Sequence, residues 1–334
     1  MKEKVNFPID IVVTWVDQND KKWKKKYDQY SIKSGDDRSG TRFRDYGTLK
    51  YLFRSIEKYA PWVNRIFFIT DHQKPIWLDT TNEKLVLIDH EDYIDKKYLP
   101  TFNSNVLDLN MSKIKQLSEH FILFNDDTFI NKPTNPTDFF TSQGQPRDSL
   151  ALNAIMPVEI FDHIYINNIS IVNHKYSKRD NMRNNFFKFF NLKNYEWNLF
   201  TLLLTPWPKF TRFYDPHIPI SLKKSVLLKL VNDYPEVLNN TNQEKFRSTH
   251  DFSIWLVRYI QMLDGDFKPR SAHFGKHYDL VGIKKVVQDI DSSKHTLLNI
   301  NDSDKLDMKK FEDATLLLNQ VFERKFTKKS TFEI

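Results

Sequence analysis

Two rhythms of apolar residues run along this chain: short β-branched runs that stop on acidic or amide residues, and longer stretches with apolar side chains every three or four positions. Ile9-Asp10-Ile11-Val12-Val13-Thr14-Trp15-Val16 is of the first kind and ends in Asp17-Gln18-Asn19-Asp20, which predicts a buried strand opening into a polar loop. Between Arg42 and Tyr59, Leu49, Leu52, Phe53 and Ile56 recur at helical spacing, and Pro61 stops that helix before a second strand, Arg65–Thr70. Leu85–Ile88 predicts a third strand, Asn103 to His120 a helix, and Phe121–Phe124 a strand that stops at Asn125-Asp126-Asp127. This alternation predicts an α/β, Rossmann-like, mostly parallel sheet whose ligand crevice lies beyond the carboxyl ends of its strands. Asp17, Asp71 and the Asn125-Asp126-Asp127 cluster fall at such ends.

Past Pro133 the pattern loosens, and His163 to Lys193, rich in Asn, Lys and Phe, carries no clear period. Helical spacing returns at Ser221–Val231 and Asp251–Leu263. The expected division is an α/β part over residues 1–150, an insertion or lobe over 151–205, and a mostly helical part over 206–334 that completes the site.

Composition narrows the classes. An apolar fraction of 40% over 334 residues suffices for a packed core, and no run approaches the roughly 18 apolar residues of a membrane span. The first residues lack the apolar core of a secretory signal, and there is no cysteine, so a cytoplasmic protein without disulfides or thiolate chemistry is expected. A formal charge of +7 suits polyanions, yet no nucleic-acid motif is present, and nucleic acid is not expected as a partner. Only seven glycines argue against a glycine-rich phosphate loop. The lysines at 21, 22, 24, 25 and 26 read as a solvated helix face, or as a peripheral contact with the inner face of the plasma membrane.

Several residue types carry candidate chemistry. Asn125, Asp126 and Asp127 supply hard oxygens suited to Mg²⁺ or Mn²⁺, or else form a plain turn. Trp15 and Asp17 would line a nucleotide pocket, although a strand-end tryptophan also suits a core. Arg42, Arg44 and Arg54 offer phosphate forks, or pair with carboxylates such as Asp45 and Glu57. His217, between Pro216 and Pro219, is held as a general base would be, although a lone histidine is more often structural. Ser248 or Thr249 would cap the next helix, forming an anion site with Arg247. His273 and His277, four apart, would share a helix face as zinc ligands do, though Gly275 weakens that helix.

These pieces resemble the Stealth proteins, which include bacterial capsular and exopolysaccharide phosphotransferases and the catalytic core of the lysosomal-enzyme N-acetylglucosamine-phosphotransferase. The run Ile9 to Asp17 resembles the first conserved block. Arg42-Phe43-Arg44-Asp45, Leu49 to Val63, Ile69 to Leu78, Leu99-Pro100-Thr101-Phe102-Asn103-Ser104 and Phe124 to Asp127 resemble the second almost continuously. Pro206-Trp207-Pro208, Asp215-Pro216-His217 and Phe246 to Asp251 resemble the third, and Ala272-His273-Phe274 a short fourth. The chain departs from the family at Thr48-Leu49-Lys50, commonly Glu-Leu-Arg, and at Ser104-Asn105.

The resemblance implies a glycosyltransferase-A-like fold and transfer of a hexose-1-phosphate from a UDP-sugar to an oligosaccharide or polysaccharide acceptor, free or lipid-linked. It implies Asp126 and Asp127 at an Mg²⁺ or Mn²⁺ ion, with Asp127, His217 and Arg247 as the catalytic set. Trp15, Asp17, Arg44, Asp45, Arg54, Asn103, Asn125, Ser248 and Asp251 are then expected to contact substrate.

Overall fold

A computed structural model describes residues 3–31 and 44–334. From the N-terminus run β1 (Ile9–Thr14), α1 (Lys21–Ser31), α2 (Leu49–Tyr59), β2 (Ile66–Thr70), β3 (Leu85–Asp89), α3 (Ser104–Leu109), β4 (His120–Asn125), β5 (Thr128–Ile130), β6 (Arg147–Asp148) and β7 (Leu152–Asn153). Four helices follow: α4 (His163–Lys175), α5 (Lys178–Asn184), α6 (Phe186–Phe189) and α7 (Trp197–Leu204). The chain continues through β8 (Arg212–Phe213), β9 (Ile220–Lys223), α8 (Lys224–Asp233), α9 (Pro235–Gln243), α10 (Trp255–Leu263), β10 (Lys268–Pro269), β11 (Gly275–Asp279), α11 (Ile283–Ser292), β12 (Leu297–Asn301) and α12 (Met308–Lys325).

The main sheet has the order β3-β2-β1-β4-β9, parallel except for β9. Strand order reverses direction at β1, with β2 on one side and β4 on the other, so a crevice opens at the carboxyl ends of β1 and β4. Asp17 and Asn125-Asp126-Asp127 leave the sheet there. Because strand side chains alternate between faces, Ile11, Val13, Phe68 and Phe124 enter a core with α2 and α12, while Val12, Phe67, Phe121 and Leu123 enter a second core with α10. Such two-sided burial explains why these strands read as nearly unbroken apolar runs.

A second sheet, β11-β12-β5, begins where the first ends: β5 leaves β4 through the turn at Asp126-Asp127 and pairs antiparallel with β12. This pairing carries Asn299 of the C-terminal third to the end of β4. The three predicted parts of the chain therefore share their sheets, since β9 also adds to the first part's strands and β7 of the middle part pairs with β8 of the last.

Four local expectations are corrected. The helix predicted over 103–120 stops at Leu109, because the buried Asn110 side chain turns back to the Val106 carbonyl and pairs with Asn242. The Asn-rich segment is helical; its amides bond to distant backbone, as Asn167 does to Thr249 and Asp251 and Asn194 does to Leu150, which removes the polar-outside signature. The helix expected from Ser221 begins only at Lys224, after β9, and the C-terminal third also supplies β11 and β12. The helix expected near Asp251 starts at Trp255, so neither Ser248 nor Thr249 caps it and the predicted anion site is not formed there.

Candidate active site

Asn125-Asp126-Asp127 makes the turn between β4 and β5, and Asp126 and Asp127 line a cleft. The turn is pinned by Thr128 Oγ1 donating to the Asn125 carbonyl at 2.6 Å and by Ile300 N donating to the Asp127 carbonyl at 3.0 Å. The cleft is lined by Trp15, Arg44, Asp45, Tyr46, Asp126 and Asp127. Solvent reaches Asp126, but protein crowds its recess, and this desolvation, with the Asp45 charge, raises its pKa to about 7. Burial and the neighbouring Asp126 push Asp127 well above the carboxylate range, although Asn299 Nδ2 donates to its Oδ1 at 2.8 Å. Burial, with Asp127, Asp302 and Asp126 nearby, likewise raises the Tyr46 phenol.

Arg44, which lines the same cleft, is already engaged: its Nε lies 2.6 Å from Asp302, and its guanidinium covers the Phe311 ring at 4.4 Å. Among the described residues, neither Asp126 nor Asp127 has an ion-pair partner. Adjacent hard oxygens without a cationic partner among the described residues fit a divalent cation.

His217 occupies a left-handed backbone conformation with φ of 50°. Its loop is anchored two residues earlier, at Asp215. The fully buried Arg258 holds Asp215 at 2.9 Å, grips Asp148 through two contacts of 2.7 and 2.9 Å, and donates to the Tyr214 and Ser149 carbonyls. A buried guanidinium whose donors are all used is a rigid peg. Crowding by protein, followed by the influence of His277, Arg212 and Arg247, lowers the His217 pKa to about 4. The imidazole is therefore neutral near pH 7, with a free lone pair.

The acidic pair and this histidine are connected. Asp127 accepts from Asn299; Asn299 Oδ1 is 2.6 Å from His277 Nδ1; and the His277 and His217 rings are 5.2 Å apart. Sequence spacing misplaced His277: it lies on strand β11, while His273 turns outward to Glu196 at 2.9 Å, so the two do not form a helical zinc pair. Asn299, Tyr46, Arg258 and Asp148 carried no recognised signal, although Leu297-Leu298-Asn299-Ile300-Asn301-Asp302 repeats the pattern of β1 and β4, an apolar run ending on an acid.

Other expected residues separate. Trp15 is half-buried and stacks on Phe68 at 5.7 Å, with the cleft beside it. The Asp17 carboxylate accepts from Asn19 N at 2.8 Å, and its backbone is fastened to Gln73. Arg247 Nη2 donates to Ser104 Oγ at 2.8 Å, and its charge acts on His217. Asn103, Ser248 and Asp251 are buried, which corrects their expected substrate contact: Asp251 Oδ2 accepts from Asn103 Nδ2, Asn105 Nδ2 and Ser248 N at 2.8 to 3.1 Å. This clasp fixes the loop carrying Arg247. Arg54 is also corrected: it is buried and bound to Glu333 by contacts of 2.8 and 2.7 Å and to the Phe326 carbonyl, clamping α2 to the C-terminal segment. Arg42 lies outside the described residues.

A further set of potential cation ligands, Asp71, His72 and Asp89, stands at the ends of β2 and β3 with ligand atoms within 4.8 Å of one another. Lys26 Nζ already sits 2.5 Å from Asp71. This set is thus partly neutralised, unlike Asp126 and Asp127.

Family models for Stealth protein conserved regions 1, 2 and 3 match residues 7–35, 42–148 and 216–259. The chain is 44% identical to the exopolysaccharide phosphotransferase cps2G of Lactiplantibacillus plantarum, over 98% of this chain and 96% of that protein. It is 41% identical to a capsular polysaccharide phosphotransferase WcwK of Streptococcus pneumoniae (97% and 98% covered) and 37% identical to the receptor polysaccharide phosphotransferase WefC of Streptococcus gordonii (88% and 90%). A solved structure of the galactosyltransferase LgtC aligns over 93% of this chain and 95% of its own at 9% identity, with a TM-score of 0.38.

Proposed function

The chain belongs to the Stealth family, and from that premise we propose that it transfers a hexose-1-phosphate from a UDP-sugar to a hydroxyl of a cell-surface polysaccharide, forming a phosphodiester. The observation that carries this reading is the chain of contacts from the Asp126-Asp127 pair through Asn299 and His277 to His217. One end suits a diphosphate and its cation; the other suits an alcohol.

In the proposed reaction the acceptor oxygen attacks the β-phosphorus of the donor. The bond from that phosphorus to the oxygen bridging the α-phosphate breaks, and UMP leaves with the electron pair. The neutral imidazole of His217 takes the hydroxyl proton. Asp126 and Asp127, with Asn125 beside them, would hold Mg²⁺ or Mn²⁺, which when bound neutralises charge on the diphosphate and leaving UMP. Trp15, Asp17, Arg44 and Asp45 shape the donor side. Arg247 faces transferred-phosphate charge, and the Asn103–Asp251 clasp positions it.

Product analysis tests the reading. Incubation with a UDP-sugar, Mg²⁺ and a polysaccharide acceptor should release UMP and place phosphorus in the glycan. Release of UDP with a phosphorus-free product would instead identify a conventional glycosyltransferase, and no nucleotide release would leave a glycan-binding assembly factor.

A further inference from the structure

Nine of the twenty exposed large apolar side chains among the described residues lie between Phe186 and Trp207. Phe187 is 80% exposed, Leu192 92% and Leu203 60%, so the patch stands open to solvent. A soluble protein rarely leaves so contiguous a group uncovered.

Helix α7 is turned inside out. Its polar residues face the protein: Thr201 is fully buried with Oγ1 accepting from Leu152 N at 3.0 Å, and Asn198 bonds to both backbone groups of Asn191. Leu199, Phe200, Leu202 and Leu203 face outward. This reverses the pattern of a helix packed on a water-soluble core. Phe186 and Phe187 on α6 add exposed rings shortly before α7 in the chain, and Trp207, 54% exposed between Pro206 and Pro208, follows its end.

We propose that this face, built from α6, α7 and the Pro206-Trp207-Pro208 turn, docks the protein on an anionic lipid bilayer. Charge selects that occupant. From Lys178 to Lys209 the exposed charged residues are Arg179, Arg183, Lys193 and Lys209 against Asp180 and Glu196, a cationic excess around the apolar centre. Anionic headgroups complement that excess. A two-fold dimer through the same patch would set like charges against each other. The tryptophan's combination of apolar ring and indole N–H also suits the headgroup boundary.

The face adjoins the site. Trp197 stacks on Tyr214 at 4.0 Å, three residues before His217, and Tyr195 stacks on His273 at 4.3 Å. Docking would therefore hold the His217 loop beside the membrane surface. The docking inference itself stands without the reaction assigned above.

Flotation of the full chain with lipid vesicles tests it. The protein should float with vesicles of phosphatidylcholine and phosphatidylglycerol, more weakly with phosphatidylcholine alone, and less as salt screens the headgroups. Leu199→Ser with Leu203→Ser should weaken vesicle binding about tenfold or more, since each change removes buried apolar area. Arg179→Gln with Arg183→Gln should remove the preference for the anionic vesicles. Both variants should keep the parent Tm and the rate of nucleotide release with a water-soluble acceptor. Failure of the parent protein to float with either vesicle would overturn the proposal. So would a parent dimer, by sedimentation, that the leucine variant makes monomeric while vesicle binding is absent, because a second copy would then own the face.

Discussion

Asp127 receives a 2.8 Å hydrogen bond from the Asn299 side-chain amide, although 172 positions separate them in the chain. When Asp127 is ionised its carboxylate only accepts, so the Asn299 nitrogen faces it and the Asn299 oxygen faces His277. With His277 Nδ1 at 2.6 Å from that oxygen, Nδ1 carries a proton and donates to it. The acidic end of the cleft thereby fixes the tautomer of the ring beside His217.

Asn299→Ala should uncouple the two ends. We expect kcat to fall about 10- to 100-fold, the range found when a group that orients ligand side chains is lost, with KM for the UDP-sugar nearly unchanged. Steady-state kinetics over donor concentration separates the two constants. A rise in KM alone would mean that Asn299 serves donor binding and not the histidine pair.

His217→Asn tests the base with the fold protected, because asparagine tolerates the left-handed conformation that His217 adopts. Transfer should fall about 10³-fold while calorimetric affinity for the UDP-sugar and the Tm remain near those of the parent. In the parent, a His217 pKa of about 4 leaves the base unprotonated above roughly pH 5, so its titration should not limit activity near neutrality. Loss of donor affinity in the variant would remove His217 from the role of base.

The strands of the main sheet were legible because burial on both faces forces continuous β-branched runs, and their polar ends marked the crevice. Asn299 was not, because its role arises from the pairing of β12 with β5, which no local pattern encodes. His277 was misread for a related reason: a four-residue interval describes a helix, but Gly275 sits where an added Cβ would lie 2.7 Å from Ile218, and that close approach belongs to a strand passing under the His217 loop. Arg54 looked like a phosphate fork because its partner Glu333 lies 279 positions away. The adjacent Asp126 and Asp127 needed no distant contact to be noticed, because they follow an apolar run in the sequence.

Arg54→Met should lower stability without touching chemistry. It leaves Glu333, only 4% exposed, with an unpaired charge, at a cost of about 3 kcal/mol. Adding Glu333→Leu should recover much of that loss, since removing both charges also removes the stranded one. Urea unfolding of the two variants measures both effects. Equal loss in single and double variants would show that the clamp acts by packing alone.

The last expectation concerns the cation and pH. Asp126 rises from 3.8 to about 7, and burial raises Asp127 as well, so the fold favours their protonated forms when no cation is bound. The stability these groups contribute is therefore fully present below pH 3.8 and is lost as pH rises through about 7. Mg²⁺ or Mn²⁺ binds the deprotonated pair, and so should raise Tm more at about pH 8 than at about pH 5.5. Asp126→Asn should largely abolish the cation-induced rise, whereas Asp89→Asn should leave it, because Lys26 already offsets charge in the Asp71-His72-Asp89 set. Thermal melts of the three proteins with and without cation decide the matter. If Asp89→Asn alone abolishes the rise, the cation resides at the ends of β2 and β3, and the carboxylates following β4 must act on the donor without it.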